Sequence, residues 1–271
     1  MSLDNFLDIE KDFALLMTAT IDVGGMPKAY PTVPEQREEY YFNSLRYYVN
    51  FHPRVRKLIF VENSGWPLAR VKQAVADNPH KKEIEFISLN CNNFPRSLGK
   101  GYGESLLVEK GIEKSQLIDD VSYFAKLTGR IYLMNLTELL TSVGQAYDCL
   151  CDYKDQGWQL KQIVGEKTAG PHCDTRFLVF RRKFYTEYIQ PLHQQHREGA
   201  GEYACFYLET QFYRAIEAAA ARETVISRFP IEPDFRGIAG HFGGKDYSSS
   251  KERAKFKVRS LLRKITPWLH L

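Results

Sequence analysis

Ala14-Leu-Leu-Met-Thr-Ala-Thr-Ile21 is a nearly continuous run of apolar and small residues. A strand with one wet face alternates apolar and polar residues. A run without that alternation is covered on both faces, as strands inside a parallel sheet are. Parallel neighbours need a crossover segment between them, usually helical. The following sequence supplies one. A loop carrying Gly24, Gly25, Pro27, Pro31 and Pro34 leads to residues 35–50, where Tyr40, Tyr41, Ser44, Leu45 and Tyr48 fall at helical spacing and Pro53 ends the run. Lys57-Leu-Ile-Phe-Val-Glu62 reads as a second strand, ending in Asn63-Ser64-Gly65, with a helix from Pro67 to about residue 77. Ile84-Glu-Phe-Ile-Ser-Leu89 reads as a third strand. Helices are expected over 102–113 and 116–124, and a fourth strand over Arg130-Ile-Tyr-Leu133. This order predicts an α/β fold with a mixed, mostly parallel sheet flanked by helices.

Residues 134–250 are less regular. Short strands are expected at 144–151, 158–164 and 176–181, helices at 183–196 and 203–221, and a Gly/Ser-rich loop at 235–250. Without a repeat or a low-complexity linker, one domain over 1–250 is the simplest organisation. Its halves would be about 12–133 and 134–250, with 251–271 as a tail.

The chain has 271 residues, 44% hydrophobic and 26% charged, the balance of a globular domain. Five cysteines without C-x-x-C spacing favour a reducing compartment over a disulfide framework. No basic and then apolar leader and no bilayer-length apolar run is visible, so a cytoplasmic location is expected. The net charge of +4 is uneven: residues 251–271 hold seven Lys/Arg and one Glu, and the remainder is slightly acidic. That leaves no basic stripe on the body and argues against nucleic acid as a partner.

In open α/β sheets ligands bind beyond the carboxyl ends of the strands. Thr20, Asp22 and Glu62 stand there as candidates to hold a base or ribose, with Asn63, Ser64 and Gly65 shaping the adjoining turn. After the third strand comes Gly99-Lys-Gly-Tyr-Gly-Glu104. A strand, a glycine-rich turn and a helix aim backbone N–H groups at an anion. Lys100, Lys126 and Arg130 surround it with positive charge, so Lys100, Gly101 and Glu104 are expected at a phosphate site. The spacing matches neither the P-loop nor the dinucleotide fingerprint.

Thr-Ala-Thr-Ile, then Arg37 and Tyr41 on a helix, Phe-Val-Glu-Asn-Ser-Gly, Gly-Lys-Gly-Tyr-Gly-Glu and Lys-Leu-Thr-Gly-Arg together resemble bacterial glycosyltransferases of capsule and lipopolysaccharide gene clusters. The resemblance covers roughly residues 12–245. It implies a GT-A-like, Rossmann-like fold with an irregular C-terminal acceptor half. It also implies a nucleotide-sugar donor bound at 18–22 and 62–65, and a glycan or lipid-linked acceptor. GT-A enzymes usually carry an Asp-x-Asp metal motif near the centre of the sheet. Lys126-Leu-Thr-Gly-Arg130 stands in about that place here, and fixed cations can stabilise a leaving diphosphate. Transfer without a metal cofactor is therefore expected, with Mn or Mg the alternative.

For the base that deprotonates an acceptor hydroxyl, Glu209 is the first candidate and Glu202 the second, both near the start of a helix. Asp174 and Arg176 precede a strand as an acid–base pair. His241 lies in a Gly-rich loop able to close over phosphates. A sugar nucleotidyltransferase is the first alternative, although the loop after the first strand offers only Gly24-Gly25-Met-Pro. A non-catalytic, membrane-associated scaffold is the second.

Val258, Leu261, Leu262, Ile265 and Leu269 share a helical face, with Lys257, Arg259, Arg263 and Lys264 around it and Trp268 near the end. Such a segment is suited to an anionic membrane surface or to packing on its own domain.

Overall fold

A computed structural model describes residues 7–154, 170–195, 207–240 and 243–270. The strands are β1 (Phe13–Ala19), β2 (Lys57–Glu62), β3 (Glu83–Ser88), β4 (Tyr123–Thr128), β5 (Ile131–Leu133), β6 (Cys149–Leu150), β7 (Phe177–Arg181), β8 (Val225–Ile226) and β9 (Phe235–Gly237). The helices are α1 (Pro34–Asn50), α2 (Ala69–Lys72), α3 (Gly99–Lys114), α4 (Gln116–Asp119), α5 (Leu136–Thr141), α6 (Tyr207–Ala219) and α7 (Ser250–Ile265). Short helical turns also run from Arg182 to Gln195.

Seven strands form one mixed, mostly parallel sheet in the order β3-β2-β1-β4-β7-β6-β8, flanked by helices as expected. β3, β2, β1 and β4 are mutually parallel, and β7 is antiparallel to β4 and β6. All seven residues of β1 are buried. Phe13, Leu15 and Met17 pack with Tyr41, Leu45, Tyr48 and Val49 of α1, while Ala14 and Leu16 pack with Leu107 and Val108 of α3. Both faces are therefore apolar, which is why the run does not alternate. Leu45→Ala would cost about 2–5 kcal/mol. α1 starts with Pro34 in its first turn. At its other end the buried Lys82 ammonium donates to the carbonyls of Tyr48, Phe51 and His52, capping the C-terminal dipole.

Three expectations are corrected. Residues 116–124 are not one helix: α4 stops at Asp119, and Tyr123-Phe-Ala-Lys-Leu-Thr128 is the central strand β4. Its aromatic and β-favouring residues gain a ladder on each side, and that pairing outweighs local helix preference. The 130–133 strand exists as β5 but pairs with β9 in a separate two-stranded sheet. The glycine-rich turn at 99–104 is helical. A Cβ on Gly101 would lie 2.9 Å from the Cβ of Leu208, and one on Gly103 would lie 2.6 Å from the ring of Phe94. Those glycines let α3 approach its neighbours closely and do not form a loop around an anion.

Smaller differences follow the same logic of packing over pattern. The 67–77 helix shrinks to α2 plus a 3-10 turn, Gln73–Val75, and the 144–151 strand to β6. The 235–250 loop contains β9 and an Ile238–Asp246 bridge. The 158–164 strand lies outside the described residues.

The chain runs outward from β1 through β2 to β3, then returns through α3 to β4 on the other side of β1. The order thus reverses between β1 and β4, and their carboxyl ends open a crevice where open α/β sheets hold ligands.

Candidate functional site

Gly129 brings the two strand ends together. Its N–H donates to the Thr18 carbonyl at 2.9 Å, and a Cβ there would sit 2.5 Å from that oxygen. Arg130 then turns out at the switch point. It is 9% exposed, and burial lowers its pKa. Its Nη1 donates to the Tyr30 carbonyl at 3.2 Å, but its buried Nε finds no acceptor among the described residues. Gly240 lies over the guanidinium so closely that a Cβ would be 1.5 Å from Nη2. Gly240 also accepts from the Tyr30 N–H at 3.0 Å, tying the 238–246 segment to the loop after β1.

Arg37 behaves differently. Its guanidinium donates to the carbonyls of Thr20, Tyr30 and Pro31 and to the Tyr41 hydroxyl, at 2.7–3.2 Å. It therefore braces the loop after β1. Thr20, half-buried, sits at that loop's start, its N–H on the Tyr41 hydroxyl. Asp22 is exposed and accepts from the Gly24 N–H.

Glu62 is fully buried at the end of β2. Its carboxylate accepts from the N–H groups of Ile21, Ser64 and Trp66 and from the Ser64 hydroxyl. A carboxylate so filled organises two loops and has little left for a ribose. Asn63 is buried with its Oδ1 unpartnered among the described residues. Ser64 Oγ accepts from the Asp22 N–H, and Gly65 turns the chain with φ +72°.

A second group gathers beyond β4. Lys126, 4% exposed, pairs with Glu104 of α3 and donates to the Thr175 carbonyl at 2.6 Å. Glu209 of α6 is half-buried, and the Thr175 hydroxyl donates to it at 3.4 Å. Burial, with Glu104 and Asp174 adding to it, pushes the Glu209 carboxyl up to about 7 against the pull of Lys126. Glu104, Lys126 and Thr175 line a small cavity with Leu208 and Phe212. The Glu104 charge acts on Arg130 as well as on Glu209, so the two groups share one electrostatic environment.

Asp174 takes Nε and Nη2 of Arg176, whose guanidinium lies 4.1 Å from the Phe235 ring and 4.9 Å from that of Tyr247. Arg176 holds the Asp174 carboxyl well below the usual range despite burial. An anion held this way is a poor proton acceptor and a good anchor for the strand that follows. Lys100 reaches the Lys28 carbonyl at 3.3 Å, on the far side of the loop after β1. Glu202 and His241 lie outside the described residues.

Glu104, Lys126 and Glu209 thus gather around Thr175, Asp174 and Arg176 pair next to it in sequence, and Arg130 stands apart at the β1/β4 switch point, within reach of the Glu104 charge. Sequence reading missed Thr175, Tyr30 and Gly240. The first is visible once β4 and β7 are paired; the other two contribute backbone carbonyls, which leave no sequence signal. Among the described residues no group of three or more His, Cys, Asp or Glu side chains is arranged to hold a metal.

No family model matches the chain, and no curated protein is detectably similar in sequence. Among solved structures it is similar to HddC from Yersinia pseudotuberculosis, at 12% identity over 92% of this chain and 98% of that one, with a TM-score of 0.44. It is similar to inositol-1-phosphate CTP transferase from T. maritima at 10% identity, over 94% of this chain and 97% of that one, TM-score 0.48. Core-mannan synthase A from Aspergillus fumigatus, in its Mn/GDP form, gives 10% identity over 93% and 84%, TM-score 0.47. At such identities no residue role carries over from them.

Proposed function

We propose that the chain is a glycosyltransferase that moves a sugar from a nucleotide-sugar donor to a hydroxyl of a glycan or lipid-linked acceptor, without a metal. The observation that carries this reading is Arg130: a buried guanidinium at the β1/β4 switch point that, among the described residues, has no carboxylate paired to it and a donor left unused. A buried cation without a counter-ion is costly unless an anion completes it. The nucleoside would lie along Thr20, Asp22 and the 62–65 turn, with the diphosphate against Arg130. When the bond from the anomeric carbon to the phosphate oxygen breaks, the electron pair leaves with the diphosphate, and Arg130 stabilises that charge. Glu209, poised near neutrality, takes the acceptor hydroxyl's proton as the new bond forms. Lys126 positions Glu104 and the Thr175 backbone.

A sugar nucleotidyltransferase is the second reading. Gly24 and Gly25 both take positive φ in the loop after β1, and Arg96 donates to the Gly24 carbonyl at 2.8 Å beside Lys100. Such a loop can hold a triphosphate.

Thermal melting with UDP-, GDP-, CMP- and dTDP-sugars tests both. A donor at about 100 times its Kd raises stability by about 2.7 kcal/mol. The expected result is a nucleotide-specific shift without metal, lost in Arg130→Met. A shift with a free nucleoside triphosphate alone, with pyrophosphate released when a sugar phosphate is added, would assign the second reading. No shift with any nucleotide would refute both.

A further inference from the structure

α7 packs on the domain the wrong way round for an ordinary amphipathic helix. Its polar face is turned inward. Arg263, 4% exposed, donates to Asp152, Glu232 and the Phe229 carbonyl. Arg259 also pairs with Glu232, Arg253 with Asp234, and Glu252 with Lys245. These ion pairs fix the helix's rotation. They leave Val258 at 58%, Leu261 at 58% and Ile265 at 61% exposure in one stripe, continued by Trp268 at 70%. The hydrophobic effect alone favours the opposite rotation.

The stripe has a charged border. At about 100° per residue, Lys251 and Lys255 flank it on one side and Lys257 and Lys264 on the other. All four are exposed. Glu252, the helix's acidic residue, is turned inward and held by Lys245 and Lys255. A second copy of the chain docking here would set lysine borders against lysine borders, which is unfavourable. A flat anionic surface with an apolar interior satisfies both parts at once, and an exposed tryptophan suits the boundary between them.

We propose that the outward face of α7, the stripe Val258, Leu261, Ile265 and Trp268 within its lysine border, docks the protein on an anionic lipid bilayer. The helix lies in the interface and does not cross it: no helix among the described residues is long and apolar enough to span a membrane. The proposal stands independently of the transfer reaction.

Co-sedimentation of the full chain with phosphatidylcholine vesicles, with or without about 30 mol% phosphatidylglycerol, tests it. Binding is expected to the anionic vesicles only, and to weaken more than about tenfold as salt rises from about 0.1 M to about 0.5 M. Leu261→Asp is expected to lose at least about tenfold in affinity, and the double change Lys257→Gln/Lys264→Gln more than about tenfold, near fivefold per lysine. Both variants alter exposed side chains, and unchanged melting will show that they fold. Failure of the wild type to bind anionic vesicles would overturn the proposal. So would full binding by Leu261→Asp, since charge alone would then suffice. A concentration-dependent dimer abolished by Leu261→Asp would assign the stripe to a second copy and overturn it as well.

Discussion

Residues 99–104 and 126–130 carry the same ingredients, glycine beside lysine or arginine, and the fold uses them in opposite ways. In the first, glycines sit inside α3 and bring the helix against Leu208 and Phe94. In the second, a glycine follows β4 and lets it touch the β1 backbone, so that Arg130 is delivered to the sheet's switch point. Glycine within a helix permits close packing; glycine at a strand end permits close approach between backbones and sets the direction of the next residue. Only the second arrangement places a buried cation where open α/β sheets hold ligands.

The largest expected effect separates the two segments directly. Arg130→Met keeps the stem and removes the charge. It should lower kcat/KM about 10³-fold, the scale of an arginine stabilising a phosphoryl leaving charge. Melting should barely move, because burying a guanidinium whose Nε has no acceptor among the described residues is costly, and an apolar side chain removes that cost. A large stability loss with unchanged donor affinity would make Arg130 a structural residue and end the contrast.

Glu209, on the β4 side of the contrast, comes next. Glu209→Gln should cost about 10²-fold in kcat, and the wild-type rate should fall as pH drops below about 7. The sign for stability is opposite. The carboxyl's folded value of about 7 exceeds the ordinary 4.5, so the folded protein binds the proton more tightly. Its stabilising contribution is full below about pH 4.5 and is lost as pH rises through about 7. Above that, Glu209→Gln should be more stable than wild type by about 1–2 kcal/mol, with solvent screening taken into account. Melting curves at about pH 5, near the lower end of that range, and about pH 8, above its upper end, check it. Equal melting of the two proteins at both would mean the carboxyl is not desolvated.

Gly129→Ala tests the backbone side of the contrast. The neighbour at 2.5 Å is a carbonyl oxygen held in the ladder, which cannot swing away as a side chain can. The expected loss is about 2 kcal/mol. For a chain of this size that is a fall of about 4–8 °C in Tm.

The contrast also marks how far sequence alone reaches. β1, β2, β3 and α1 were legible to within a residue or two because each carries its own pattern: two-sided burial in β1, helical spacing and Pro34 in α1. β4 was not. Lys126 at its centre breaks the apolar run, and only the partners Glu104 and the Thr175 carbonyl, far away in sequence, make a buried lysine tolerable there. Arg37, Glu62 and Arg130 were legible as residues of the crevice. Their division of labour was not, because Arg37 and Glu62 are filled by backbone groups of the loops they brace and Arg130 is not. Hydrogen-bonding to a carbonyl leaves no trace in the identity of the residue that carries it.

The smallest expected effect is the one most able to break the contrast. Lys100 begins α3 beside the glycines and reaches a backbone carbonyl of the loop after β1. If the first segment serves packing, Lys100→Ala should alter stability by no more than about 0.5 kcal/mol, as a surface substitution does. Donor affinity should change by less than about threefold, the residue of long-range attraction after screening. An affinity loss approaching that of Arg130→Met would place the phosphates at the α3 terminus after all. It would also move the weight of the proposal to the Gly24–Gly25 loop that Lys100 faces, where a triphosphate would bind.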